Sequence, residues 1–271
     1  KQPTSPWTLV NEATCLSLAA GRGLPTFPAV IHLFRIPSSL AIAAAFSISA
    51  IGQANDVELT GRPYIDMNYG PYLSASIEAA PGNIAYKGIA IRLDDGPGGV
   101  SQGSEFVIFE TDTLRMAAAW SGDEFIDWRS IVYDGSHGTH PKLVGERLFT
   151  NPVAPGWAKP GTDQFEDPRL RGLDNKPYGP LPRDWGQWRG LFLHNDRVIL
   201  YYEIGNIPIF ESPSITKLLS GQKVVIRNIN IAKRDADLVL QVVLVAGSEP
   251  KLKTFDDQKI AVYDNQLTVG V

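Results

Sequence analysis

Few side chains in this sequence have the type and spacing to do chemistry. His137-Gly-Thr-His140, with His194, Asp134 and Asp184 as further donors, is the one group of metal-like composition. Histidines three apart share a face only on a helix, and Gly138 with Pro141 opposes a helix there. Two loop histidines bonded to backbone are the plainer reading, so no metal site is assigned to His137 and His140. Asp123, Glu124, Asp127, Asp184 and Glu203 could supply a carboxylate pair for glycosidic-bond chemistry. The most concrete catalytic set among them is Asp184 and Glu203 with His194, although nothing in their spacing brings them together.

The aromatics form the third set. Trp157, Tyr178, Trp185 and Trp188 could wall a ligand-binding surface on which a sugar stacks, with Trp120, Trp128 and Tyr201 nearby in the pattern. The plain alternative is core packing and corner locking, in which an indole N–H bonds a loop carbonyl. Arg183, Asp184 and Arg189 read most simply as a local ion-pair set at a proline corner. The Gly96–Gly103 loop lacks a following Lys-Ser/Thr or a helix, so it is not a phosphate loop.

These residues must be held by strands. From Tyr178 to Glu211 the chain runs through a Pro/Gly corner (Gly179, Pro180, Pro182) into three short apolar runs. His194-Asn195-Asp196 and Gly205-Asn206 separate Leu191–Leu193, Val198–Ile204 and Ile207–Phe210, the pattern of a β-meander. Further strands are expected at 72–78, 84–93, 105–110, 114–120, 125–133, 222–231, 238–246, 260–263 and 266–269. One short helical turn is expected at 214–219. Eight prolines between Ser136 and Arg183 forbid continuous helix or central strand, yet Leu143, Leu148, Phe149, Trp157 and Phe165 recur there. That composition predicts a long ordered loop packed on a sheet, not a linker. The fold class is all-β: a large antiparallel β-sandwich built of hairpins with a long Pro-rich loop. Tyr86-Lys-Gly-Ile-Ala-Ile-Arg92 and Trp188-Arg-Gly-Leu-Phe-Leu-His194 echo each other, as repeated hairpins would.

The 271 residues carry a formal charge of −4, with 44% hydrophobic and 20% charged side chains, which excludes a basic nucleic-acid-binding face. No apolar run reaches the roughly 18–20 residues that span a bilayer. Residues 1–54 differ from the rest. Arg35, the apolar run Leu40–Ile51 and the exit Gly52-Gln53-Ala54 make a signal peptide, with a buried helix over 39–51 as the alternative. No Met precedes Met67. The chain is therefore either a fragment at its start or begins at a non-standard codon such as that of Val30, with residues 1–29 a spurious extension. Cleavage at Ala54 leaves a β-sandwich domain over 55–271, cut short at an apolar C-terminal strand. The single cysteine, Cys15, goes with the leader, so the exported part holds no disulfide, thiol nucleophile or cysteine ligand.

Several runs carry a family likeness: Tyr69-Gly-Pro-Tyr-Leu-Ser-Ala-Ser-Ile77, Lys87–Leu93, Phe109–Trp120, Asp134-Gly-Ser-His-Gly138, Pro155-Gly-Trp157, and Tyr178-Gly-Pro-Leu-Pro-Arg-Asp-Trp185 through His194. Over roughly residues 62–246 the chain resembles the uncharacterised N-terminal β domain of large secreted planctomycete and verrucomicrobial proteins. Those proteins often continue into membrane-bound-dehydrogenase-like propeller regions and a c-type haem domain. The resemblance implies a bacterial, secreted or periplasmic multidomain protein, whose partners are the other domains of the same polypeptide; a polysaccharide is the further partner that the aromatic set leaves open. It carries over no catalytic residue. It implies no cofactor in this segment, since Cys-x-x-Cys-His is absent; a c-type haem would belong to a further C-terminal domain.

The expected function is a non-catalytic exported β module of a redox or polysaccharide-processing protein. The rival is a carbohydrate-active β-sandwich enzyme using Asp184, His194 and Glu203. N-terminal sequencing of secreted protein should read from Asn55; a start upstream of Arg35 would refute the leader.

Overall fold

The computed structural model of the protein describes residues 7–10, 13–18, 29–35, 63–128, 140–235, 237–255, 258–263 and 267–270. Its strands are β1 (Trp7–Val10), β2 (Ala13–Leu18), β3 (Ala29–Arg35), β4 (Tyr72–Ala80), β5 (Asn83–Arg92), β6 (Glu105–Glu110), β7 (Arg115–Ser121) and β8 (Glu146–Thr150). They continue as β9 (Gly186–His194), β10 (Arg197–Ile204), β11 (Ile207–Lys217), β12 (Lys223–Ile231), β13 (Leu238–Leu244), β14 (Lys251–Phe255), β15 (Gln258–Tyr263) and β16 (Leu267–Gly270). Helix is slight among the described residues, with one turn at Pro63–Asp66 and a 3-10 turn at Val100–Gln102. None is long and apolar enough to cross a membrane.

The expected all-β class holds. β4 to β8 form a five-stranded antiparallel meander. A larger sheet has the order β14-β15-β16-β3-β12-β11-β10-β9, and a small one the order β1-β2-β13. The meander is buried on both faces, which explains why all six residues of β6 are buried and show no polar alternation. Val107 and Phe109 face the sandwich core, meeting Leu200, Tyr202 and Ile204 of the large sheet. Phe106 and Ile108 point the other way, into a second core with Trp120, Phe125 and Trp128.

That second core accounts for one departure from the sequence reading. The stretch expected as a strand from Phe125 makes only an isolated bridge, Ile126 to Leu143, as far as Trp128; the remainder lies outside the described residues. Phe125 and Trp128 instead lie across the outer face of the meander. Phe125 packs 5.0 Å from Phe106, and its carbonyl accepts from the Trp120 indole N–H at 3.0 Å. From His140 on, the Pro-rich stretch is ordered as expected but yields an edge strand, β8, beside β7. The turn expected at 214–219 is absent because β11 runs on to Lys217, paired with Lys223.

The two echoed segments fall on β5 and β9, and each carries a bulge just before its glycine. Ala75 pairs with Gly88 and Ile77 with Ala85; Tyr201 pairs with Gly190 and Tyr202 with Trp188. Gly190 has a φ of 147°, a value side-chain-bearing residues rarely adopt. Three strands, β1 to β3, come from the stretch read as a leader, and β3 lies between β12 and β16. The apolar run Leu40–Ile51 and the junction at Ala54 lie outside the described residues.

A buried polar network joins the sheets. Arg115 donates to Glu110 (2.7 Å), to the carbonyls of Asn151 and Pro152, and to Asn83 (2.9 Å). The Asn151 amide donates to the Met116 and Val242 carbonyls, both at 3.0 Å, and its oxygen accepts from the Leu244 N–H at 2.9 Å. One side chain thus bridges β7 and β13. The chain then passes Pro155-Gly156-Trp157 between the β6–β7 turn and β13. A Cβ at Gly156 would stand 2.3 Å from the Leu114 carbonyl oxygen, so only glycine fits. Trp157 is fully buried and bridges to Leu240; its carbonyl accepts from the Trp185 indole N–H at 2.9 Å. Trp185→Ala removes a buried ring and that bond together. Urea unfolding should show a loss of about 3–5 kcal/mol, and an unchanged midpoint would contradict the burial.

Candidate functional site

The three residues expected to act together stand apart. Glu203 pairs with Gln187 near one end of the β9–β10 hairpin, while His194 closes the other end opposite Arg197. His194 lies seven positions beyond Gln187 along β9, roughly 20 Å at about 3.3 Å per residue. Asp184 is exposed on the turn before β9, and Asp123 and Glu124 are exposed on the turn after β7, in the other sheet. Glu203 is also held as an anion. The Arg189 guanidinium donates to it at 2.6 Å and the Tyr201 hydroxyl at 3.2 Å, holding its carboxyl below the usual range. A glycosidase acid needs the opposite shift. Arg189 therefore pairs across the hairpin with Glu203, not with Asp184 as the sequence suggested.

The expected ligand-binding aromatics also divide. Trp157 and Trp185 are core residues and present no ring face to solvent; the corner-locking alternative describes them. Trp188 is half-buried against Phe109, centroids 5.8 Å apart. Tyr178 alone of the four is exposed. Its hydroxyl bonds Asp174 at 2.7 Å, and its ring tilts against Tyr86, which meets His140 edge-on. His137 lies outside the described residues, and among those described no group of three or more His, Cys, Asp or Glu gathers to hold a metal. A cleft of about 590 Å³ between β8, β13 and the β15–β16 hairpin is lined by Leu148, Phe149, Val243, Val245, Tyr263 and Leu267 and touches no Asp, Glu or His.

What the fold does bring together is Phe192, Tyr201 and Phe210, on the solvent face of β9, β10 and β11. Tyr201 and Phe210 are direct cross-strand partners, offset-stacked at 4.8 Å with planes 9° apart. Phe192 leans in at 6.2 Å from Tyr201 and 6.3 Å from Phe210. Phe192 is 53% exposed and Phe210 39%. Cross-strand from Tyr201 stands Gly190, which has no side chain to cover the ring. Glu203 and Arg189 border the cluster with charge. The result is an apolar patch with hydrogen-bonding groups on one rim, on a rigid sheet. Phe192 and Phe210 were hidden inside apolar runs. The two-residue turns could have found them, since they fix the register and put all three rings on one face.

At the far end of the same hairpin, Asp196 and Arg197 meet the Gly96–Gly103 loop across a polar cleft of about 270 Å³. Arg92 and Asp94 build that loop. Arg92 donates to the carbonyls of Pro97 and Gly99 at 3.0 and 3.1 Å, and Asp94 accepts from Arg92 and from the Ser104 and Glu105 N–H groups, both at 2.9 Å. Burial pushes the Asp94 carboxyl up, but those donors more than offset it and hold it below the ordinary value. Its stabilising contribution is therefore present above the unfolded carboxylate pKa of about 4 and disappears as pH falls through the lower folded value. Asp94→Asn should lower the melting temperature at neutral pH, with the deficit shrinking in acid. A deficit independent of pH would mean that the carboxylate charge is not what orders the loop.

Residues 107–211 match a family model described as a domain of unknown function, DUF6797. The match runs from β6 into β11 and takes in Arg115, Asn151, Trp157, Trp185 and the whole aromatic cluster, in keeping with an uncharacterised domain. No curated protein and no solved structure matches the chain.

Proposed function

We propose that this chain is a non-catalytic β module of an exported bacterial protein, which binds polysaccharide through the Phe192, Tyr201 and Phe210 cluster. The observation that carries this reading is the gathering of three rings on one exposed patch while the candidate acids scatter. Apolar ring surface beside anchored polar groups suits a sugar, whose axial C–H face packs on aromatics while its hydroxyls take hydrogen bonds from Arg189 and give them to Glu203. The module belongs to the N-terminal part of a larger extracytoplasmic protein of redox or polysaccharide-processing function, in planctomycetes or verrucomicrobia. Any haem sits in another domain of that protein. An enzyme built on Asp184, His194 and Glu203 would need them in one cleft with one carboxyl kept protonated. Neither condition finds support.

The test is retention on insoluble polysaccharides such as cellulose, chitin and cross-linked xylan, with released reducing sugar measured in parallel. Retention without hydrolysis is expected. The Phe192→Ala/Phe210→Ala variant should weaken it by about fivefold or more, as loss of two contacts at about 0.5–1.5 kcal/mol each implies. Sugar release abolished by Glu203→Gln would overturn the reading in favour of the enzyme. Equal retention of the variant would remove the cluster from the site.

A further inference from the structure

The aromatic cluster does not stand alone on its sheet face. Two rows of side chains cross the strands there, at right angles to them as antiparallel pairing dictates. In the first, Gly190 of β9 pairs with Tyr201 of β10, Tyr201 with Phe210 of β11, and Phe210 with Asn230 of β12. In the second, Phe192 pairs with Ile199, and Ser212 with Asn228. Residues two apart on a strand share a face, so Ser212 and Asn228 lie on the same side as Phe210 and Asn230. The face is therefore aromatic over β9 to β11 and turns to hydroxyl and amide over β11 and β12. Neither row holds a charged residue. The ion pair beside them, Arg189 with Glu203 at 2.6 Å, neutralises itself.

The stacking of the rings decides which surfaces are left for a ligand. Tyr201 and Phe210 each cover one face of the other. Phe192 stands almost equally far from both, at 6.2 and 6.3 Å, so it leans on the side of the pair and does not continue the stack. The outer face of Tyr201 then looks over Gly190, where a Cβ would meet nothing within 4 Å. The outer face of Phe210 looks toward Asn230, which is exposed. Beside Asn230 the Asn228 amide is set by the Ser212 carbonyl and the Ser214 hydroxyl, both at 3.4 Å.

We infer that a single neutral glycan chain lies across these strands, one sugar to a strand, from the gap over Gly190 to the amides of Asn228 and Asn230. This rests on the cluster being a polysaccharide-binding site. Strands repeat at about 4.8 Å, close to the length of one unit in an extended, equatorially linked pyranose chain such as a β-1,4-glucan or xylan. Such a chain meets a new strand with each sugar. It passes the gap, then the ring pair, then the amides and the Ser212 hydroxyl, which exchange hydrogen bonds with its own hydroxyls. An α-1,4-glucan coils and cannot keep step with a row of strands. A uronic acid chain would bring carboxylates onto phenyl rings, at a desolvation cost. Ser212, Asn228 and Asn230 are thereby assigned as ligand-binding residues beyond the rings.

The test is titration calorimetry of the 271-residue chain with cello- and xylo-oligosaccharides from the disaccharide to the hexasaccharide, with maltohexaose and hexagalacturonate beside them. Affinity for at least one of the two β-linked series should climb from the disaccharide to the tetrasaccharide and level off there, because four strands, β9 to β12, carry the row. The Asn228→Ala/Asn230→Ala variant should bind the tetrasaccharide about tenfold more weakly, as loss of two hydrogen bonds implies. It should bind the disaccharide as the wild type does, since the disaccharide covers the rings alone. The inference is overturned if maltohexaose or hexagalacturonate binds as tightly as the β-linked hexasaccharides, if affinity stops climbing at the disaccharide, or if the asparagine variant binds every length like the wild type or every length equally weakly. Where the Phe192→Ala/Phe210→Ala variant still loses binding, only the path across the strands falls and the cluster keeps its role. If no glycan binds the wild-type chain, the cluster reading falls with it.

Discussion

A buried guanidinium sets the terms for much of this fold. Arg115 is almost wholly removed from water, and such a charge is tolerated only when it is paired and its donors are satisfied. Glu110 neutralises it, and Asn83, Asn151 and Pro152 take up its remaining donors. These partners come from the β6–β7 hairpin, the start of β5 and the exit of β8, so the charge is stable only when all are in place. Asn151 extends the requirement to β13 through Val242 and Leu244. Leu114, in the same turn, keeps a left-handed φ of 53° although it is not glycine, a conformation costing about 1–2 kcal/mol. Its burial in the sandwich core and the close passage of Gly156 hold it there.

The large sheet has its own version of this arrangement. Arg227 and Glu211 are both fully buried and joined by two hydrogen bonds of 2.6 and 3.0 Å, and the Tyr202 hydroxyl donates to Glu211 at 2.8 Å. Burial and the neighbouring Glu211 charge push the Tyr202 phenol well above its ordinary range. The trio spans β10, β11 and β12 and fixes their registers from the core side. The opposite face is thereby free to carry the aromatic cluster. A rigid sheet underneath makes the spacing of Phe192, Tyr201 and Phe210 a property of the backbone, not of loop conformation.

Strands bounded by turn residues were legible in the sequence. Asn195-Asp196 and Gly205-Asn206 mark β9, β10 and β11, and β6 was placed to the residue because its apolar run has polar ends. β8 was not legible: its five residues show no clear alternation, and prolines surround it on both sides. The crosswise packing of Phe125 and Trp128 has no local signature, because an aromatic-rich run reads as strand until a second layer claims its rings. The Arg115 network was equally hidden, since Asn151 stands far down the chain from Arg115. For the site, large tryptophans drew attention to Trp157 and Trp185, which the core needs. The rings gathered at the solvent face were Phe192 and Phe210, in runs that looked like core, with Tyr201 between them. Residue type was a poor guide there, and strand parity combined with hairpin register a better one.

The two-faced burial of the meander has an optical consequence. Trp120 and Trp128 lie in the layer outside the meander, with Phe106 and Phe125. Trp157 lies in the sandwich core, with Trp185 bonded to it and Trp188 packed at its border. Trp120, Trp128, Trp157, Trp185 and Trp188 thus fall into two groups separated by a single sheet. A protein keeping only the first group emits from one layer, and a protein keeping only the second emits from the other. Loosening of the outer layer and parting of the two sheets can therefore be followed separately, each in a protein that keeps only its own group.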